Sequence, residues 1–390
     1  MAKKETSEFE TARKKRRAKI ASQRMRKFIG AVLLFAIVCG AVYLFVTEDV
    51  AGIIGDRIAA SGSGGTMPVE IAGKSVLQTF TCGDNIGVLT DGVVYLYAKS
   101  GKLLLSQQHD MVNPVAEGVG RRFLVYDQGG TKLIVRMRDK VLFEKEFDSA
   151  IISANLSADG WLSVVTKAQR YASKLSVWDS TYGTEVFTWS ASSEYIICGT
   201  ADAGSKTVAA AALSANASGE MVTTMHVFTT DAAVELAKRE FKSAAVISLQ
   251  YDGSGCIKLI CDSMAALLDR NCSVLGVSYF DQEPVSFVNL PGSARAAVIF
   301  DRYTEARATE ILFLGDKFEE LKTASVGGKF VCASGADSKT AVYCSGTLSV
   351  FDRNGERTAE LVSEPDALLI QLTKEAVFAV NRTELREVKS

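Results

Sequence analysis

Histidine is nearly absent. Of 390 residues only His109 and His226 carry an imidazole, and neither sits in an HxH, HExxH or Ser/Asp frame. A metal-dependent hydrolase or a His-activated nucleophile therefore lacks its usual ligand or base, and both histidines read as surface or loop residues. Proline is scarce, with five residues against 31 glycines, a balance suited to many short strands joined by Gly, Asp and Asn turns. No CxxC spacing occurs among the eight cysteines, so zinc and dithiol-redox sites have no support. Cys39 falls in an apolar run and leaves an odd seven beyond it, most of them in strand-like surroundings where a thiol acts as a small buried hydrophobe. Cys332 and Cys344 flank a plausible hairpin and form the best candidate bridge.

Charge is missing from one stretch entirely. From Phe28 to Val46 the chain reads FIGAVLLFAIVCGAVYLFV. As a helix this run covers roughly 28 Å, close to the hydrocarbon thickness of a bilayer. A cleaved secretory signal would carry a shorter apolar core and a small-x-small site just after it. Here Thr47-Glu48-Asp49 follows, so the run reads as a transmembrane anchor contacting the lipid bilayer. Residues 1–27 hold eleven Lys or Arg against Glu5, Glu8 and Glu10. Such a basic arm beside a span is retained on the cytoplasmic side, and its composition predicts disorder. The rest of the chain then carries a net −9, which argues against nucleic acid as a ligand, since phosphate contacts need clustered Lys and Arg.

Beyond the span, Val50, Ile53, Ile54 and Ile58 recur at helical spacing, predicting a short amphipathic turn or two at the outer interface, and 61–66 is a Gly/Ser spacer. The expected organisation is an arm at 1–27, a transmembrane helix at 28–46, a juxtamembrane linker at 47–67 and an extracytoplasmic domain at 68–390.

That domain repeats itself. Its clearest unit is 174–189, KLSVWDSTYGTEVFTW: a strand, a turn through Tyr182-Gly183, and a second strand. Similar units follow Val93, Met225, Ala265 and Leu348, with weaker copies at 132–147 and 310–324. Their strand-end residues are Tyr97, Met137, Trp178, Phe228, Leu268, Leu314 and Phe351. Steps of roughly 40–50 residues match a four-stranded propeller blade. One such sheet cannot bury both faces, whereas a closed ring can. The last unit, 367–389, shows three strands, and Val69-Glu70-Ile71-Ala72 could supply its missing outer strand. The fold expected is an all-β propeller of eight blades, or seven if weak copies merge.

Val177-Trp178-Asp179 with Tyr182-Gly183, and Val350-Phe351-Asp352 with Asn354-Gly355, resemble the third-to-fourth strand signature of WD40 repeats, although no Gly-His dipeptide opens a blade. The segment 94–104, VYLYAKSGKLL, is similar to the PQQ-like repeat of quinoprotein-type propellers. The layout of basic arm, span and divergent propeller also resembles an uncharacterised family of single-pass membrane proteins from Firmicutes, especially Clostridia. That resemblance implies architecture and a cell-membrane location.

No catalytic, cofactor-binding or metal-binding residue is assigned. Asp127, Asp159, Asp179, Asp252, Asp269 and Asp352 lie where Asp commonly makes a turn. Asp252-Gly253-Ser254-Gly255 lacks the alternating ligands and closing Glu of a calcium loop. Trp161, Trp178 and Trp189 cluster in one unit and read as inter-blade packing in preference to a stacking platform. The function expected is a non-catalytic protein-interaction or envelope-assembly scaffold with a protein partner on a loop face. The alternative is a ligand-sensing or enzymatic propeller acting on a carbohydrate, peptide or redox cofactor.

Overall fold

A computed structural model describes residues 35, 50–61, 65–71, 75–231, 234–290, 292–302, 308–362 and 367–388. The arm, and all of the expected span but Phe35, lie outside the described residues. No helix among those described is long and apolar enough to cross a membrane. The chain divides into two units, 1–62 and 63–390. In the first, helix α1 (Val50–Ser61) runs for 12 residues, longer than the one or two turns expected. Ile54 and Ile58, one helical turn apart, are both exposed.

The second unit is built from four-stranded antiparallel sheets, eight in number among the described residues. Blades 1 to 7 occupy 76–108, 114–146, 151–191, 195–242, 246–279, 286–327 and 330–362. Blade 8 joins Leu369–Leu372, Val377–Val380 and Glu384–Val388 to Val69–Glu70 from the start of the domain. Val69 pairs with Leu385 and Glu70 with Glu384, and the Ile71 N–H donates to the Thr383 carbonyl at 2.6 Å. The ring is thus closed by the expected segment and has eight blades, with Ala72 outside the described residues.

Strand ends fall where the repeats placed them. Tyr97, Trp178, Leu268 and Leu314 end the third strands of their blades; Phe228 and Phe351 are one residue short of the end, and Met137 is one beyond. In blades 1 to 7 the pairing of third and fourth strands slips at or one residue before this anchor. A bulge with a tight turn bends the chain back there, so the signature has a local backbone cause. The following aspartates hold these turns. Asp179 Oδ1 accepts the Thr181 N–H at 2.9 Å, Asp269 Oδ1 the Asn271 N–H at 2.8 Å, and Asp352 Oδ1 the Asn354 N–H at 2.9 Å.

Packing follows from period-two alternation with both faces covered. In Thr207–Ala215 of blade 4, Ala209 and Ala211 join the cluster shared with blade 5, while Val208, Ala210 and Ala212 join the one shared with blade 3. Every gap between successive blades holds such a buried apolar cluster, including the gap between blades 8 and 1, where Ile71 meets Ile86, Phe378 and Leu385. Blade 7 shows why the candidate disulfide does not form. Cys332 packs toward blade 8 and Cys344 toward blade 6, on opposite faces of one sheet. Both are free and buried.

Candidate functional site

The singled-out aromatic and imidazole residues divide between packing and a buried polar bridge. Trp178 meets Phe143 at 5.4 Å between ring centroids, with the Lys145 ammonium 4.8 Å from its ring, closing the gap between blades 2 and 3. Trp189 packs on Phe228 at 4.9 Å between blades 3 and 4. These tryptophans are inter-blade packing. His109 sits in the loop joining blades 1 and 2, with Nε2 at 3.0 Å from the Thr90 carbonyl. His226 differs from the loop reading: it lies on the third strand of blade 4, buried, with Nδ1 2.6 Å from Glu235 Oε1 and Nε2 2.8 Å from Glu194 Oε2. Its carboxylates lie on opposite edges of the ring, so they bridge elements without converging on a common ligand.

Convergence occurs instead at one mouth of the central channel. First strands of successive blades contact one another around most of the axis. Their ends and the hairpins that follow enclose a cavity of about 380 Å³, to which each of blades 1 to 7 contributes. Glu117, on the first strand of blade 2, lies in its wall. Glu117 Oε2 accepts the Leu156 N–H at 3.1 Å and Oε1 accepts from Asn155 Nδ2 at 3.2 Å, both in blade 3. Enclosure by protein pushes its carboxyl up to about 7, against the lowering effect of the Leu156 hydrogen bond.

Lys258 approaches from the second strand of blade 5 and is only 2% exposed. Its Nζ donates to the Leu290 carbonyl at 3.3 Å and the Ser293 carbonyl at 3.0 Å in the first hairpin of blade 6. Burial pushes this ammonium down to about 8, opposed by nearby Asp252. Tyr251, also on the wall, ties its hydroxyl to Thr207 Oγ1 at 2.9 Å. The amide oxygens of Asn155 and Asn289, two further lining residues, are buried without a protein hydrogen-bond partner. None of the described His, Cys, Asp and Glu side chains groups in threes to hold a metal. Sequence reasoning missed Glu117 and Lys258. The available signal was one charge inside each of two otherwise uncharged strands, PVAEGV and IKLIC.

A second feature lies on the rim. Six of the eight outermost strands carry a charged residue, while those of blades 1 and 5 carry none. In the outer strand of blade 1, Leu103–Gln108, only Leu103 is an exposed large apolar side chain. In blade 5 the outer strand Val274–Tyr279 exposes Leu275, Val277 and Tyr279, at 45%, 37% and 77%. Their alternation puts all three on one face. The opposite face is pressed against blade 6: a Cβ on Gly276 would clash with the Lys317 carbonyl oxygen, and Ser278 Oγ donates to the Phe318 carbonyl at 2.5 Å.

This architecture is an eight-bladed β-propeller. The C-terminal WD40 domain of Sif2 aligns with it at a TM-score of 0.60 and 11% identity, covering 84% of this chain and 100% of that one. BamB from Moraxella catarrhalis gives 0.48 at 13% identity, covering 82% and 100%; a chain of the mitotic checkpoint complex gives 0.47 at 11%, covering 84% and 96%. At such identities the Sif2 likeness establishes the fold alone. Residues 68–389 match the family described as "Family of unknown function (DUF5711)", and the chain belongs to that family. No curated protein matches it.

Proposed function

We propose that this protein is a single-pass membrane protein of the bacterial cell envelope, with residues 1–27 cytoplasmic, 28–46 in the bilayer and the propeller outside, serving as a non-catalytic interaction scaffold. The uncharged run behind a basic arm supports the anchor. Exposed Ile54 and Ile58 on α1 suit an interfacial collar. One observation carries the interaction reading, and it moves the partner surface from a loop face to the rim: the uncharged, apolar outer strand of blade 5. Propeller edges are commonly blunted by charge, because an open row of N–H and C=O groups templates another strand. Val274–Tyr279 leaves that template open and offers alternate apolar side chains, the arrangement used in β-strand addition. The occupant is an extended apolar segment of an envelope protein.

A photo-crosslinker placed at Tyr279 of the full-length protein in its native membrane should trap one discrete protein. The same group at Glu240, on the charged outer strand of blade 4, should not. Val277→Lys in the same chain should remove the adduct. Adducts of equal yield at both positions, or an adduct made only of a second copy of this chain, would overturn the scaffold reading. A second reading, ligand sensing, is favoured by the polar cavity at the channel mouth.

A further inference from the structure

The channel mouth does something that its role in holding blades together does not require. In blade 1 the Gln78 side chain accepts the Ala116 N–H of the next blade at 3.0 Å, and in blade 7 Ser334 Oγ accepts the Leu372 N–H at 2.9 Å. Glu117, at the register position of Ser334, makes its latch to Leu156 with a carboxylate. Neutral groups evidently suffice for the latch, while an ionised group enclosed there is costly. A local rule broken without structural gain marks a functional position.

We infer that the channel mouth binds a small organic cation, a primary amine carried as ammonium, with Glu117 as its counter-charge and the Asn155 and Asn289 amide oxygens as further acceptors. Three observations select this chemistry. The lining is acidic, since Glu117, Asp159 and Asp202 face a cavity whose one lysine, Lys258, already spends hydrogens on two carbonyls. Asn155 and Asn289 stand in the same wall with amide oxygens that no protein donor meets, so an ammonium toward which either amide turns supplies the donor that the fold leaves out. Other ligand classes fit worse. Tyr251 is the one aromatic residue in the lining and none of Trp161, Trp178 and Trp189 joins it, so no pair of rings is there to sandwich a sugar or planar cofactor, and no described trio of ligating side chains suits a metal ion.

The test is calorimetric titration of the full-length protein in detergent micelles with 1,4-diaminobutane, using butane-1,4-diol as the neutral isostere. Saturable 1:1 binding of the diamine at pH 8, and none of the diol, is expected. Affinity should fall about 10-fold at pH 6, where Glu117 takes up a proton. Glu117→Gln should weaken binding at pH 8 by at least about 10-fold and abolish its pH dependence. This variant keeps the latch, as Gln78 does in blade 1, and its melting curve reports folding separately. Asp316→Asn, at a carboxylate paired with Arg295 away from the cavity, should bind as the parent does. Absence of saturable binding, meaning a cavity filled by water only, would overturn the proposal. So would equal binding of the diol, unchanged binding in Glu117→Gln, or displacement of the diamine by equimolar magnesium or calcium ions.

Discussion

Glu117 Oε2 of blade 2 accepts the backbone N–H of Leu156 in blade 3 at 3.1 Å, holding two blades together through a group that enclosure keeps protonated up to about pH 7. The folded carboxyl titrates above its ordinary value of 4.5, so the folded state holds the proton more tightly than the unfolded chain. Stability linked to Glu117 is therefore fully present below about pH 4.5 and is lost as pH rises through about 7, amounting to roughly 3 kcal/mol. Glu117→Gln removes that loss. Thermal melts should show the variant more stable than the parent at pH 8 and nearly equal to it at pH 4.5. A pH-independent difference would mean that the carboxyl is not enclosed as the structure places it.

Ring closure rests on very little chain. Among the described residues Val69 and Glu70 pair with the last strand, the Ile71 N–H adds one bond to the Thr383 carbonyl, and the Ile71 side chain, 1% exposed, plugs the gap between blades 8 and 1 against Ile86, Phe378 and Leu385. Ile71→Ala leaves a cavity at that seam and should cost about 2–4 kcal/mol. Hydrogen exchange should show where the cost falls. Amides of 369–388 should lose protection first, while those of blade 4 keep theirs. Uniform loss across all blades would show that the seam is not the weak point of the ring.

The third-to-fourth strand turn is held by a side chain in several blades, and blade 3 gives the cleanest case. Asp179 Oδ1 accepts the N–H groups of Thr181 and Tyr182 at 2.9 and 3.1 Å and the Thr181 hydroxyl at 2.6 Å. The Thr181 hydroxyl, chief among these, holds the carboxyl below its ordinary range. A depressed carboxyl contributes stability above the unfolded value of 3.8 and loses it as pH falls through the folded one. Asp179→Ala should therefore cost about 1 kcal/mol at pH 7, with the gap narrowing in acid. Chemical denaturation at pH 7 and at pH 3 checks both halves.

These turns also explain what was readable in the sequence. Tyr97, Trp178 and Leu268 end third strands because a bulge and an Asp or Gly turn follow within a few residues, and such local causes leave local traces. The closing strand at Val69 was legible because 367–389 shows three strands where each earlier unit has four. The channel mouth left almost no trace. Glu117 meets Leu156 across 39 residues and Lys258 meets Ser293 across 35, distances set by blade size and not by any motif. His226 was unreadable for the same reason, with Glu194 lying 32 residues away and arriving from the loop before its own blade. The bridge suggested for Cys332 and Cys344 failed because a bulge between Phe330 and Cys332 shifts their register.

Free thiols give the last prediction, and the geometry ranks them. Cys256, Cys261 and Cys332 are free thiols. Cys332 and Cys261 lie inside inter-blade clusters, and burial pushes both thiols up to about 12, while Cys256 follows the Asp252 turn and is part-exposed. Alkylation proceeds through the thiolate, so both access and ionisation protect the first two. Iodoacetamide at pH 8 applied to the folded protein should label Cys256 well before Cys332 and Cys261, and peptide mapping reads the order directly. Unfolding in urea should erase the difference. If Cys332 reacts as fast as Cys256 in the native state, blade 7 opens on the labelling timescale, and the seam between blades 7 and 8 is looser than its packing indicates.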